Sequence, residues 1–94
     1  MPKLLLEEEI ARRLAETPQW RRQEKEIQRK FKFQNFLESM KFVNQVAELA
    51  EKIDHHPDIL IQWNRVTLTL STHSAGGLTV LDFELAKRID SLCS

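Results

Sequence analysis

The sequence predicts an α+β fold in which three helices and two β-hairpins follow one another in the order α-β-β-α-β-β-α. Two observations predict it: apolar residues recur at three- and four-residue spacing in three segments, and they alternate with polar residues in the stretches between. Of the 94 residues, 41% are hydrophobic and 30% are charged, which is an ordinary globular balance. A chain of this length is expected to form one domain, spanning 1–94.

The first helix and the first hairpin are predicted in the N-terminal third of the chain. A stripe of apolar residues predicts a helix over 4–15 that ends near Pro18, because proline disfavours helical angles in the residue before it. Alternating apolar positions then predict strands over 20–23 and 27–33, with the polar pair Glu24-Lys25 at the tip between them.

The other two helices carry recognisable end signals. A broad apolar stripe over 36–53 predicts a long helix that packs one wide face inward. This helix is expected to stop at His56, since Pro57 follows it. The last helix is expected to start at Thr79, because Asp82 three residues later completes a capping-box-like pattern.

The second hairpin is predicted from two alternating stretches, 59–63 and 66–70. Asn64-Arg65 is expected to form the two-residue turn, because asparagine tolerates the left-handed region. In that register Trp63 faces Val66, and the six apolar side chains of the hairpin fall on one face of the sheet and enter the core.

A candidate site follows when this ladder is continued beyond its regular part. The position opposite His73 becomes His56, with His55 adjacent, and the chain has no other histidine. Glu51 lies one helical turn before His55, so its carboxylate can orient or pair with an imidazole there. Asp82 and the loop before it follow His73 closely. Imidazoles with pKa values of about 6.5 can supply one acid and one base at neutral pH, which elimination of water requires.

Two other interpretations of the histidines remain open. Three histidines and a water can hold catalytic zinc, but the adjacent His55-His56 pair would rarely aim both rings at one ion and no HExxH spacing is present. We therefore expect no metal. Each histidine could also serve only to complement a helix terminus, and Asp82 could be only a helix-start carboxylate.

Charge and cysteine content argue against several classes of partner. Fourteen basic and fourteen acidic side chains give zero net charge, so no nucleic acid partner is expected. No apolar run is long enough to span a bilayer and no secretory signal pattern is present, so no membrane partner is expected. The single cysteine, Cys93, excludes an intrachain disulfide and favours a cytoplasmic, reducing location.

Two segments and one carboxylate carry a resemblance to a known family: Glu51-Lys52-Ile53-Asp54-His55-His56-Pro57, Thr72-His73-Ser74-Ala75-Gly76-Gly77-Leu78-Thr79, and Asp82. They resemble the pterin-4a-carbinolamine dehydratases. The likeness extends through Phe31-Lys32-Phe33, Phe42-Val43 and Trp20, so it covers nearly the whole chain. It implies one four-stranded antiparallel sheet with three helices packed on one face, in subunits that assemble through dimers into tetramers.

The resemblance also implies a reaction and the residues that perform it. Members of the family dehydrate 4a-hydroxytetrahydropterin to quinonoid dihydropterin, which recycles a tetrahydrobiopterin-type cofactor, and they need no metal or cofactor of their own. Carried onto this chain, His55 and His73 would be the acid-base pair and His56 a supporting catalytic or pterin-binding group. The implied substrate-binding residues are Glu51, Asp82, Trp20, Pro57 and Ser74.

One departure and one alternative accompany the resemblance. The residue before the matching aspartate is often basic in the family, but here it is Leu81, so a cationic contact is not expected at that position. Some members also act as dimerisation partners of a transcription factor. A non-catalytic binding module, with the exposed face of the long helix as its contact surface, is therefore the alternative function.

Overall fold

The computed structural model describes residues 2–93, within which three α-helices pack on one face of a four-stranded antiparallel sheet. A short 3₁₀ turn over His73–Ala75, which the sequence did not predict, precedes the last helix. The predicted order α-β-β-α-β-β-α is confirmed. The elements are α1 (Glu7–Glu16), β1 (Arg21–Gln23), β2 (Glu26–Lys32), α2 (Phe36–Ile53), β3 (Asp58–Gln62), β4 (Arg65–Leu70) and α3 (Val80–Ser91).

The sheet joins the two hairpins through their inner strands. Its strand order is β1-β2-β4-β3, and the central β2–β4 ladder runs from Ile27 opposite Leu70 to Lys32 opposite Arg65. Alternate residues of these strands point toward the helices, because successive strand side chains face opposite sides of a sheet. The core lies between that face and the helices and includes Ile27, Phe31, Val66, Leu68 and Leu70 from the sheet and Ile10, Phe42, Val46, Phe83, Leu85 and Ile89 from the helices.

The N-terminal segment before α1 is held against the loop that precedes α3. The Leu5 amide donates to the Leu78 carbonyl at 2.9 Å, and the chain turns into α1 only at Glu7, three residues later than predicted. Gly77 accommodates this contact, because a Cβ there would lie 2.9 Å from Leu4 Cδ2. The delayed start of α1 is thus a tertiary effect, which helical periodicity alone does not reveal.

The long helix α2 also ends earlier than predicted, at Ile53 instead of His56. Asp54 adopts the left-handed conformation (φ 57°, ψ 45°), and the amides of Asp54 and His55 both donate to the Ala50 carbonyl. A left-handed residue at this point ends a helix by satisfying its last carbonyls. The chain therefore leaves the helix axis one residue before the histidine pair.

The predicted turn of the second hairpin is wrong by one position at the tip, and the register is wrong by two residues. The turn is Trp63-Asn64, and Gln62 pairs with Arg65. Asn64 is fixed by hydrogen bonds with Phe33, whose amide donates to the Asn64 carbonyl at 2.7 Å. A shift of two residues leaves every side chain on its original face, so alternation could not distinguish the two registers.

Trp63 is consequently outside the core for which it was predicted, and Ile59 on β3 is 38% exposed as well. Trp63 has a φ of +54° and is 67% exposed. The shorter strand β3 ends before it, so its side chain leaves the ladder and lies at the surface of the hairpin tip.

Candidate active site

The centre of the candidate site is a buried pair formed by His55 and Asp82. His55 directly follows the left-handed Asp54, is 8% exposed, and places its Nε2 2.6 Å from Asp82 Oδ1. Asp82 is fully buried. An ionised carboxylate can only accept hydrogen bonds, so the geometry assigns the proton of a neutral His55 ring to Nε2. Its Nδ1 then carries the free lone pair.

The N-terminus of α3 holds the Asp82 carboxylate in place. Asp82 Oδ2 accepts from the Thr79 amide at 2.9 Å, while Thr79 Oγ1 accepts from the Leu81 amide at 3.3 Å. The predicted capping-box start at Thr79 is confirmed. The positive end of the helix dipole also favours a negative charge at this position. Asp82 therefore serves both as a helix-start carboxylate and as the partner of His55.

The segment that carries His73 contacts the same carboxylate through Thr72, the residue before the histidine. Thr72 is buried, with its Oγ1 at 2.9 Å from Asp82 Oδ2. The following loop closes on Thr72, whose amide donates to the Gly77 carbonyl at 2.9 Å and whose carbonyl accepts from the Gly76 amide at 3.0 Å. His73 itself is exposed at the start of the 3₁₀ turn. The segments of His55 and His73 thus meet at Asp82.

The predicted route to this arrangement is wrong. The β3–β4 ladder ends with Asp58 opposite Thr69, so His73 is not a ladder partner of His56. Beyond the strand, the isolated bridge between Thr72 and Gly77 turns the chain into the 3₁₀ turn instead. The segments of His55 and His73 therefore meet through their contacts with Asp82, and not through the strand pairing that was predicted.

His56 forms a second, exposed pair with Glu51. Its Nε2 lies 2.5 Å from Glu51 Oε2, and the two side chains are 54% and 76% exposed. The predicted pairing of Glu51 with an imidazole is therefore present, but the partner is His56 and not His55. The reason is the early end of α2. Because the helix ends at Ile53, His55 turns toward Asp82, and His56 is left next to Glu51 in the last helical turn. Exposed pairs of this kind contribute little to stability.

The structure does not bring Trp20 to the histidines, although the resemblance implied a role for it in the pocket. Trp20 is 3% exposed, its indole Nε1 donates to Asp90 Oδ1 at 2.8 Å, and its ring packs edge-on against Phe31. Asp90 follows Asp82 by eight residues on α3, a rise of about 12 Å. Trp20 therefore packs in the core toward the opposite end of that helix.

The remaining predicted residues flank the histidines along the chain. Pro57 is half-buried next to His56, and Ser74 is exposed in the 3₁₀ turn next to His73. Thr72 was not among the site residues predicted from the sequence. One signal could have found it, because the inward-facing alternation of β4 continues onto this position and puts a polar side chain where an apolar one is expected.

Neither a metal cluster nor a membrane span is found over 2–93. No group of three or more histidine, cysteine, aspartate or glutamate side chains in this range has the arrangement to hold a metal ion. None of the helices in the same range is both long enough and apolar enough to cross a bilayer.

Comparison with known proteins decides the family. The family model described as pterin 4 alpha carbinolamine dehydratase matches residues 3–92. The chain belongs to the pterin-4a-carbinolamine dehydratase family. The resemblance drawn from the two histidine segments is thereby confirmed.

Relatives within the pterin-4a-carbinolamine dehydratase family match almost end to end. A protein from Picosynechococcus is 51% identical over 88 residues, which cover 94% of this chain and 96% of the relative. One from Chloroflexus aurantiacus is 52% identical over 92 residues, covering 98% of both. Both relatives are named as dehydratases of this family only provisionally.

Two solved structures connect the pterin-4a-carbinolamine dehydratase fold with other roles. A transcriptional coactivator/pterin dehydratase from Brucella melitensis superimposes with a TM-score of 0.91 at 37% identity, covering 96% of this chain and 98% of that one. A pterin dehydratase-like protein identified as a RuBisCO assembly factor in the α-carboxysome gives 0.67 at 27% identity, covering 80% and 89%.

Proposed function

We propose that this protein dehydrates 4a-hydroxytetrahydropterin to quinonoid dihydropterin by histidine acid-base catalysis, and thereby recycles a tetrahydrobiopterin-type cofactor. The observation that carries the proposal is the meeting of the His55 and His73 segments at one buried carboxylate, Asp82, in a chain that matches the family over 3–92. An acid-base reaction needs two groups held in a fixed relation, and a shared buried anchor provides that relation.

In this mechanism His55 and His73 form the acid-base pair. One imidazole protonates the 4a-hydroxyl group, whose C–O bond breaks to release water, while the other removes a proton from the neighbouring atom as the double bond forms. Positioned groups of this kind contribute a factor of about 10² to 10⁴ each. On His55 the reacting atom is Nδ1, because Nε2 is engaged with Asp82.

The exposed residues around the pair would bind the pterin. His56 and Glu51 offer a paired imidazole and carboxylate at the surface, and Pro57 and Ser74 lie beside them along the chain. Asp82 is fully buried and has hydrogen bonds at both oxygens, so we assign it to His55 and not to the substrate.

A spectrophotometric assay of carbinolamine loss tests the function. We expect the double variant His55→Ala, His73→Ala to lose at least about 10²-fold in turnover, since both acid-base groups are gone. Gln62→Ala, an exposed change at the end of β3, serves as the control and should turn over normally. Normal turnover by the double histidine variant would contradict the proposed active site.

The second candidate function is a binding module, which the coactivator and assembly-factor neighbours favour. Phe36 and Leu37 at the start of α2 are 48% and 79% exposed, so this helix offers an apolar contact surface. An adaptor would require this surface and not the histidines. Full carbinolamine turnover in a Leu37→Glu chain, together with loss of turnover in the double histidine variant, favours the enzyme.

We also propose that the protein is a homodimer or homotetramer and works in the cytoplasm. The large apolar side chains of Leu37, Leu60 and Trp63 are more than half exposed, and this supports association because contact between copies of the chain would bury them. The single cysteine, Cys93, supports a reducing compartment.

A further inference from the structure

Asp82 accepts one hydrogen bond that neither its role in the helix cap nor its pairing with His55 explains. The capping box requires only the bond from the Thr79 amide to Oδ2 and its reciprocal contact. The Thr72 hydroxyl, ten residues before Asp82, makes an additional contact to the same oxygen at 2.9 Å. A capping box forms without such a contact, so the bond from Thr72 to Asp82 has another role.

The proton positions in this network can be assigned from acceptor chemistry. Thr72 Oγ1 lies 2.7 Å from Thr79 Oγ1 and 2.9 Å from Asp82 Oδ2. An ionised Asp82 only accepts, so Thr72 donates its one proton to Asp82 and accepts the hydroxyl proton of Thr79. His55 Nε2–H then donates to the other carboxylate oxygen at 2.6 Å. Each hydroxyl proton therefore has one direction, and the donations from Thr72 and from His55 converge on the two oxygens of Asp82.

Thr72 also controls the segment that carries the other proposed catalytic histidine. Its amide donates to the Gly77 carbonyl, and its carbonyl accepts from Ala75 and Gly76 at 3.0 Å each. The 3₁₀ turn that begins with His73 is therefore closed on the residue whose side chain touches Asp82. Thr72 is 4% exposed, which keeps water from replacing its hydroxyl in the network.

We propose that Thr72 is a positioning residue for the reaction: it orients the Asp82 carboxylate, thereby holds His55 in the Nε2–H tautomer, and sets the distance from His55 to His73. This inference rests on the proposed dehydratase function. Thr72 does not touch the substrate and acts only through Asp82 and through the backbone of the 3₁₀ turn.

The test compares two replacements at this position with a matched control. Thr72→Val keeps the branched shape and removes the hydroxyl, whereas Thr72→Ser keeps the hydroxyl. Thr67→Val is the control, since Thr67 lies on β4 with its side chain on the sheet face away from the helices. Carbinolamine turnover gives kcat and KM, and nitrogen-15 shifts of the His55 ring report its tautomer independently of activity.

We expect Thr72→Val to lower kcat about 10- to 100-fold with KM within about twofold, the factor that follows from losing one hydrogen bond to a charged group. The His55 ring should change from the Nε2–H tautomer to a mixture of both. Thr72→Ser should restore kcat and tautomer, and Thr67→Val should match the wild type. A KM-neutral loss of kcat that serine rescues is not expected of a purely structural residue.

Several results would overturn the inference. They are wild-type kcat and an unchanged His55 tautomer in Thr72→Val, or a Thr72→Ser chain as impaired as the valine chain. Thr72→Ala, which introduces no clash, replaces the valine variant if that chain does not fold, and failure of both to fold would assign Thr72 to stability alone. If the wild type does not turn over carbinolamine, the proposed function fails, whereas the ring measurement still decides whether Thr72 positions His55.

Discussion

Asp82 gives His55 its orientation, and a histidine is useful in catalysis only when the correct ring nitrogen faces the reacting atom. The carboxylate is fully buried and accepts hydrogen bonds from the Thr79 amide and the Thr72 hydroxyl as well as from His55. Removing its charge should therefore affect both catalysis and stability.

We predict that Asp82→Asn lowers kcat by about 10² to 10⁴, because an amide can hold the His55 ring in the wrong tautomer. The free energy of unfolding should fall by about 1 to 3 kcal/mol, the effect of leaving a buried polar group with a mismatched partner. Carbinolamine turnover and urea denaturation measure the two effects.

Asp90→Asn on the same helix is the matched control. Asp90 accepts from the indole of Trp20 and pairs with Arg29, so its replacement should cost stability but leave turnover nearly unchanged. Equal losses of turnover in the two variants would show that the helix as a whole, and not the His55 pair, governs activity.

Asp54 is a second residue on which the site depends, through its backbone. Its left-handed conformation ends α2 and directs His55 toward Asp82. Glycine adopts this conformation without the steric cost of a Cβ, so we predict that Asp54→Gly preserves turnover and raises the free energy of unfolding by up to about 1 kcal/mol.

Lys52→Gly, within the last turn of α2, is the control and should destabilise by about 1 kcal/mol, because glycine is unfavourable inside a helix. Thermal denaturation of both variants makes the comparison. Destabilisation of Asp54→Gly to the same extent as Lys52→Gly would contradict the account of how the helix ends.

Among the elements, α1 is joined to β1 by a bidentate ion pair. Arg22 donates to both carboxylate oxygens of Glu7, at 2.5 and 2.8 Å. The Arg22 hydrogen bond lowers the pKa of Glu7 from its ordinary value of 4.5. A lowered folded-state pKa means that the stabilisation is fully present above pH 4.5 and is lost as the pH falls through the lowered value.

We predict that Glu7→Gln is less stable than the wild type at neutral pH and that this difference disappears in strong acid. Glu8→Gln, in the same helical turn, is the control for the general effect of a carboxylate near a helix start. Urea denaturation at both pH values measures the difference. A difference that persists unchanged in acid would mean that the Glu7–Arg22 pair is not its source.

Features of the helices and strands that depend on nearby residues were predicted from the sequence, whereas those that depend on distant contacts were not. Local signals located the capping box at Thr79 and the order of helices and strands, because these depend on residues close together in the chain. The hairpin register depended on the contact between Asn64 and Phe33, which are 31 residues apart. The meeting of the histidine segments depended in the same way on the hydrogen bonds of Asp82 with His55 and Thr72, which only the fold reveals.

The exposed apolar side chains of the chain support its assembly with further copies of itself. Leu37, Trp63 and Leu60 are 79%, 67% and 53% exposed. We predict that light scattering gives a mass that is a multiple of the 11.1 kDa chain. A monomer at every concentration would contradict the proposed dimer or tetramer, and Leu37→Glu tests whether the start of α2 contributes to the contact.

In the proposed reaction the pterin lies between the His55 and His73 side chains. A separate cavity of about 520 Å³, lined by Phe33, Lys41 and Phe42 among others, offers a competing place for a flat ligand. Titration with a dihydropterin analogue, followed by the ring signals of the three histidines and of Phe42, distinguishes these places most directly. We expect saturable shifts of the His55 and His73 signals while the Phe42 signal stays unchanged. Shifts of Phe42 with unchanged histidine signals would place the pterin in the separate cavity and rule out the proposed active site.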